Sequence, residues 1–122
     1  MKNLTTLVLG ASLNSHRYSN KAILDLVERG YRVVAIGKAI GFVNGVQILE
    51  EIPKNIIEID TVTIYLNLKK QIYYYRDIIR IKPRRVIFNP GAENTELAEL
   101  MLKENVEVIN GCTLVMLSLG QY

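Results

Sequence analysis

The chain has 122 residues, 49% apolar and 22% charged, with a formal net charge of +3. That length suits one hydrophobic core, and the composition excludes a disordered or fibrous chain. The basic excess is too small and too scattered for a nucleic-acid footprint. A single cysteine, Cys112, excludes a disulfide scaffold or a cysteine zinc cluster.

The start, Met1-Lys2-Asn3-Leu4-Thr5-Thr6, has none of the long apolar core of a signal peptide. No apolar run approaches the roughly 20 residues that cross a bilayer. The expectation is a single cytoplasmic domain over residues 1–122, with neither membrane nor nucleic acid as partner. No His/Cys/Asp/Glu cluster has ligand spacing, so no metal is expected.

In chain order, Leu4–Leu9 reads as a buried strand that ends in Gly10-Ala11-Ser12. Asn20–Arg29 reads as a helix with Ala22, Ile23, Leu26 and Val27 inward, Ser19 as N-cap and Gly30 as its stop. Arg32–Ile36 is a β-branched strand. Gly37 to Pro53 is irregular, with a short strand near Val46–Ile48. Thr61–Leu66 is a strand and Lys70–Ile81 a helix, with Ile72, Tyr75, Ile78 and Ile79 on its apolar face. Arg85–Phe88, Thr95–Lys103, Val106–Ile109 and Thr113–Leu119 follow as strand, helix, strand and short helix.

Continuous Val/Ile/Leu runs separated by helices predict a doubly wound α/β fold. It would have a Rossmann-like parallel sheet of about five strands, with helices on both faces. Ligands of such sheets sit beyond the carboxyl ends of the strands. The loops to watch are therefore 10–19, 37–45, 67–70, 89–94 and 110–113.

A strand that passes through Gly10-Ala11-Ser12 and Arg17 into a helix at Ser19 is a place to hold phosphate. It has one glycine where the dinucleotide fingerprint has three. The second strand ends Ala35-Ile36-Gly37-Lys38, without the carboxylate that holds an NAD ribose. Lys38 instead suits a phosphorylated ribose, as in NADP or coenzyme A, against the plainer reading of a solvated loop lysine. Asn89-Pro90-Gly91 makes a turn, and Asn94 or Thr95 caps the next helix. An amide at Asn89, at a strand end, either faces the crevice or serves the turn.

Cys112 and His16 are the two residues that could suggest chemistry. A buried small cysteine is the commoner outcome, and His16 reads as a loop residue near phosphate. Tyr73-Tyr74-Tyr75 point in different directions on a helix. Tyr75 is expected inward and Tyr73 or Tyr74 at the rim, where a homodimer contact is the minority alternative to plain packing.

Several runs of this chain fall in one order: Gly10-Ala11-Ser12, Arg17-Tyr18-Ser19, Gly30-Tyr31-Arg32-Val33 and Ile59-Asp60-Thr61-Val62. They are followed by Arg85 through Asn94 (RVIFNPGAEN) and by Cys112 through Leu117 (CTLVML). This order resembles the small bacterial CoA-binding proteins, free-standing versions of the CoA-binding domain of succinyl-CoA synthetase. The resemblance implies coenzyme A across the strand ends. Gly10, Ala11, Ser12, Arg17 and Ser19 would hold the diphosphate, and Gly37, Lys38 and Ala39 would lie by the adenosine and its 3′-phosphate. Asn67, Asn89, Pro90 and Gly91 would line the crevice. Two positions depart from the usual pattern: Gly37-Lys38 stands where the family has a proline, and Leu68 follows Asn67 where it has Asn-Pro.

The related ligases need a nucleotide-grasping domain and a phosphorylated histidine loop, for which this chain has no room. A CoA-binding protein without catalysis of its own is therefore expected. An NADP-dependent oxidoreductase and a degenerate protein-interaction module are the alternatives.

Overall fold

In a computed structural model of the protein, residues 4–56 and 58–122 are described. The lead-in Met1-Lys2-Asn3 lies outside them. The strands are β1 (Thr5–Leu9), β2 (Arg32–Ile36), β3 (Gly41–Val43), β4 (Val46–Leu49), β5 (Thr61–Ile64), β6 (Arg85–Phe88) and β7 (Glu107–Asn110). They form one sheet in the order β3-β4-β2-β1-β5-β6-β7, parallel except where β3 runs against β4. This is the expected open α/β sheet, with seven strands among the described residues instead of about five. The chain progresses one way from β1 to β2 and the other way from β5 to β7. The adjacent carboxyl ends of β1, β2 and β5 therefore mark the switch point where doubly wound sheets hold ligands.

The additional strands belong to a hairpin. After β2 the chain runs back along the outer edge as β3, turns, and returns as β4 between β3 and β2. Asn44 and Gly45 both have positive φ (47° and 82°), as a two-residue hairpin turn demands.

Alternation along the strands divides the interior in two. Leu7, Leu9, Val62, Ile64, Val86 and Phe88 face one side, with Ile78, Leu97 and Met101. These last three come from α3 (Tyr75–Ile81) and α4 (Thr95–Lys103). Ile52 and Ile59, from the crossover between β4 and β5, join them. On the other side Val8, Ala35 and Ile48 pack with Ile23 and Leu26 of α1 (Tyr18–Glu28) and Leu117 of α5 (Thr113–Ser118). With both faces covered, near-continuous apolar strands are the stable choice.

The α5 side of β5 and β6 is polar, and Arg85 and Tyr122 are paired there. Buried Arg85 donates from Nε to Thr61 Oγ1 (2.8 Å), and its guanidinium lies 4.3 Å from the Tyr122 ring centroid. The Tyr122 hydroxyl meets Thr6 Oγ1 at 2.5 Å, and its ring stands edge-on to Tyr31 at 5.1 Å. At the opposite end of the sheet from the switch point, Arg84 donates twice to the Asp60 carboxylate (2.7 and 3.0 Å).

Two helical expectations change. The N-cap of α1 is Arg17, not Ser19; Ser19 is buried within the first turn, and no side chain caps the helix. The helix expected over residues 70–81 is broken into α2 (Leu68–Gln71), a 3-10 turn (Ile72–Tyr74) and α3. Ile72, expected on the apolar face, is consequently exposed. The tighter turn rotates later side chains out of helical register, and Tyr75 and Ile78 still reach the core.

Candidate functional site

The carboxyl ends of β1, β2, β5 and β6 open onto a cleft of about 660 Å³, within the range of small-molecule sites. Its floor is largely main chain. Ile36 O accepts from both Gly10 N (2.9 Å) and Ala11 N (2.8 Å), which ties the first loop to the end of β2. Gly37 then packs directly on that loop. A Cβ there would lie 2.3 Å from Ala11 O, so the contact admits only glycine.

Internal hydrogen bonds hold the first loop in shape. Ser12 Oγ accepts from Asn14 N (3.1 Å), Asn14 Oδ1 from His16 N (2.9 Å) and Asn14 O from Arg17 N (3.0 Å). Buried Asn20 reaches back from α1 to donate to Ser12 O (2.9 Å). The loop delivers the N-terminus of α1 to the cleft, where Arg17, Tyr18 and Ser19 line it. Neither a capping side chain nor an acidic residue occupies this first turn. Its N–H groups and the positive end of the helix dipole therefore suit an anion.

Charge follows the same pattern. Arg17, Lys38 and Lys70 line the cleft from three separate segments, and no Asp or Glu is among the described lining residues. Gly37 and Ala39 flank Lys38 on the β2 side. Across the cleft stand Asn67, whose Oδ1 accepts from Lys70 N (3.1 Å) to cap α2, and Tyr74. Pro90, Gly91 and Ala92 form the far wall.

Tyr65 completes the floor, with its hydroxyl buried and without a hydrogen-bond partner among the described residues. Burial pushes its pKa up, against the opposing pull of the Thr63 and Thr113 hydroxyls nearby, so the phenol stays neutral. Tyr74 also titrates above its ordinary value. Burial is the main cause, with Tyr73 and the acidic Asp77, Glu51 and Glu50 adding to it.

The cleft brings together Gly10, Ala11, Ser12, Arg17, Ser19, Gly37, Lys38, Ala39, Asn67, Pro90 and Gly91. Asn89 is not among its lining residues. Its side chain is buried and spent internally: Nδ2 donates to Thr63 Oγ1 (2.7 Å) and Ile64 O (3.0 Å), and Oδ1 accepts from Thr113 N (2.9 Å). Asn89 thus serves the turn and the start of α5. Asn94 caps α4 by accepting from Leu97 N (3.1 Å).

Lys70, Tyr65 and Leu66 also line the cleft, although sequence reasoning did not single them out, and so does Tyr74, one of the two tyrosines expected at a rim. Lys70 ended a loop already marked for attention, whereas Tyr65 and Leu66 were absorbed into the strand pattern. His16 is exposed on the first loop and Cys112 is the N-cap of α5; neither is among the lining residues. Among the described residues there is no group of three or more His, Cys, Asp or Glu placed to hold a metal ion. No helix among them is long and apolar enough to cross a membrane.

Comparisons with known proteins agree with this fold. The family model of a CoA binding domain matches residues 4–118. A crystal structure described as that of an uncharacterized protein is 42% identical, covers 100% of both chains and superposes with a TM-score of 0.93. A Thermus thermophilus protein shares the fold at 17% identity and TM-score 0.86, over 98% of this chain and 91% of its own. The dinucleotide-forming acetyl-coenzyme A synthetase of Ca. Korarchaeum cryptofilum, solved with phosphate and ADP, shares it at 16% identity and TM-score 0.69. That likeness spans 90% of this chain but only 26% of the synthetase. No curated protein matches the chain. A Rossmann-like sheet with a basic cleft at its switch point, a family model over nearly the whole length and a full-length relative at 42% identity lead to one conclusion: the chain belongs to the CoA binding domain family.

Proposed function

We propose that the protein binds coenzyme A or an acyl-CoA across the carboxyl ends of β1, β2, β5 and β6, without catalysis of its own. The observation that carries this reading is the charge of the cleft: three basic side chains, no acidic one, and an uncapped helix N-terminus. Coenzyme A is a polyanion with two separated phosphate groups. Its diphosphate would lie on Gly10, Ala11 and Ser12 at the start of α1, with Arg17 and Ser19 beside it. Lys38, with Gly37 and Ala39, would meet the adenosine and its 3′-phosphate. The pantetheine arm would run between Asn67 and the Pro90-Gly91 wall.

The makeup of the described cleft wall is that of a binding surface. The described titratable groups lining the cleft are arginine, lysine and tyrosine, and the burial of Tyr65 keeps it protonated. Neither Cys112 nor His16 is among the described residues of the cleft wall.

Native mass spectrometry of the purified protein, followed by thermal shifts with coenzyme A and with NADPH, tests the proposal. A ligand supplied at 100 times its Kd stabilises by about 2.7 kcal/mol. Stabilisation by coenzyme A alone is expected. A larger shift with NADPH would indicate an oxidoreductase, and no shift with either would indicate an interaction module.

A further inference from the structure

Gln71 is fully buried at the end of α2, behind the wall of the cleft. Its Nε2 donates two short hydrogen bonds, to Leu66 O and to Ala92 O, both 2.7 Å. Leu66 and Ala92 line the cleft on the loops that follow β5 and β6. The β5–β6 ladder ends with Ile64 opposite Phe88, and Asn89 N adds one longer bond to Ile64 O (3.3 Å). Beyond that point no backbone hydrogen bond joins the two loops among the described residues. The amide of Gln71 takes over where the ladder stops.

The Gln71 amide is itself held in place. Asn94 Nδ2 donates to Gln71 Oε1 (2.8 Å) and approaches Tyr75 Oη at the same distance. The Tyr75 hydroxyl in turn donates to Glu96 (3.0 Å), and Asn94 Oδ1 is occupied by Leu97 N. Both Nε2 protons and the Oε1 acceptor of Gln71 therefore have partners, which fixes the amide's orientation. An apolar side chain could fill the same volume. It could not hold two carbonyls at a set separation, and a buried carbonyl without a donor would turn toward water or ligand.

We propose that Gln71 is a positioning residue that sets the spacing of the Leu66 and Ala92 loops, and with it the seat of the pantetheine arm. This rests on the coenzyme A reading above. Gln71 does not touch the ligand; it acts through two main-chain segments that do. The nucleotide end of the cleft, built on the first loop and the end of β2, is independent of it. Loss of Gln71 should therefore separate recognition of the arm from recognition of the nucleotide.

The test is calorimetric titration of wild type and Gln71→Met with coenzyme A and with adenosine 3′,5′-bisphosphate, which keeps the nucleotide and lacks the arm. The Kd for coenzyme A should rise about tenfold while that for the bisphosphate stays within about twofold. Asn94→Asp provides a second variant in case the first does not fold. It keeps an acceptor for Leu97 N but removes the donor to Gln71, and should show the same selectivity. Equal losses for both ligands, or no loss for either, would overturn the assignment. Wild-type protein that binds neither ligand would instead overturn the coenzyme A reading and this inference with it.

Discussion

Replacing Gly37 by alanine tests how closely the cleft floor is built. The added Cβ would stand 2.3 Å from Ala11 O and 3.1 Å from the Ala11 carbonyl carbon, and real Cβ contacts are essentially never under 3.0 Å. One of the two segments must move by about 0.7 Å merely to reach that limit. Neither can do so cheaply. Gly10 N and Ala11 N are both bonded to Ile36 O, and Gly37 N donates to Leu49 O at 2.9 Å. Overpacking of this kind costs about 1–3 kcal/mol, and weakening one of the buried bonds adds about 1 kcal/mol. A loss of about 2–4 kcal/mol follows. For a chain of this size about 3–5 °C of Tm accompanies each kcal/mol, so Tm should fall by about 6–20 °C. Scanning calorimetry of the unliganded protein reads this directly. Gly45→Ala is the control: it has open space but a φ of +82°, so only the backbone strain of about 1 kcal/mol is expected there. A Gly37→Ala protein melting within about 2 °C of wild type would refute the close approach.

Lys38→Ala should weaken coenzyme A about fivefold, the equivalent of about 1 kcal/mol for an exposed charge pair, and leave dephospho-coenzyme A unaffected. Equal losses for both ligands in titration calorimetry would remove Lys38 from the 3′-phosphate site. For Asp60, burial alone would raise the pKa, but the Arg84 hydrogen bonds, the Thr61 hydroxyl and the charges of Arg84 and Arg85 outweigh it and hold it below 3.8. That contribution is full above the unfolded pKa and lost as pH falls through the depressed folded value. Wild type should therefore exceed Asp60→Asn by about 1 kcal/mol in urea melts at pH 7, a gap that closes as pH falls through the depressed folded value. A gap that persists in acid contradicts the linkage. Tyr122→Phe should cost about 1 kcal/mol through the lost Thr6 bond, whereas Tyr122→Ala should cost about 3 kcal/mol by also uncovering Arg85. Matching urea midpoints for the two variants would show that the ring contributes little.

Periodicity made most of the scaffold legible. Strands such as Leu7-Val8-Leu9 and Val86-Ile87-Phe88 are buried on both faces, and their composition has few other homes. β3 escaped notice because it has three residues and exposes Phe42, so it shows no apolar pattern. The Asn44-Gly45 pair between Val43 and Val46 was the available signal. The main-chain parts of the site were visible as loops after strands, and eleven of the twelve proposed residues line one cleft. The twelfth, Asn89, was ambiguous because an amide at a strand end serves a turn or a ligand equally well. Gln71 and Asn20 were harder still. Amphipathic patterns place amides on the surface, and only the folded chain shows the carbonyls they satisfy.

The floor formed by Gly10, Ala11, Ile36 and Gly37 presents main-chain surface rather than side chains, with its Gly10, Ala11 and Gly37 N–H groups already bonded within the protein. Most substitutions alter side chains and leave peptide groups where they were. The seat is therefore tolerant of sequence drift, with Gly37 as its fixed point. Diversification is left to the rim, where Lys38, Lys70 and Tyr74 can change without disturbing the backbone beneath. A lineage could retune which molecule is held while keeping the means of holding it.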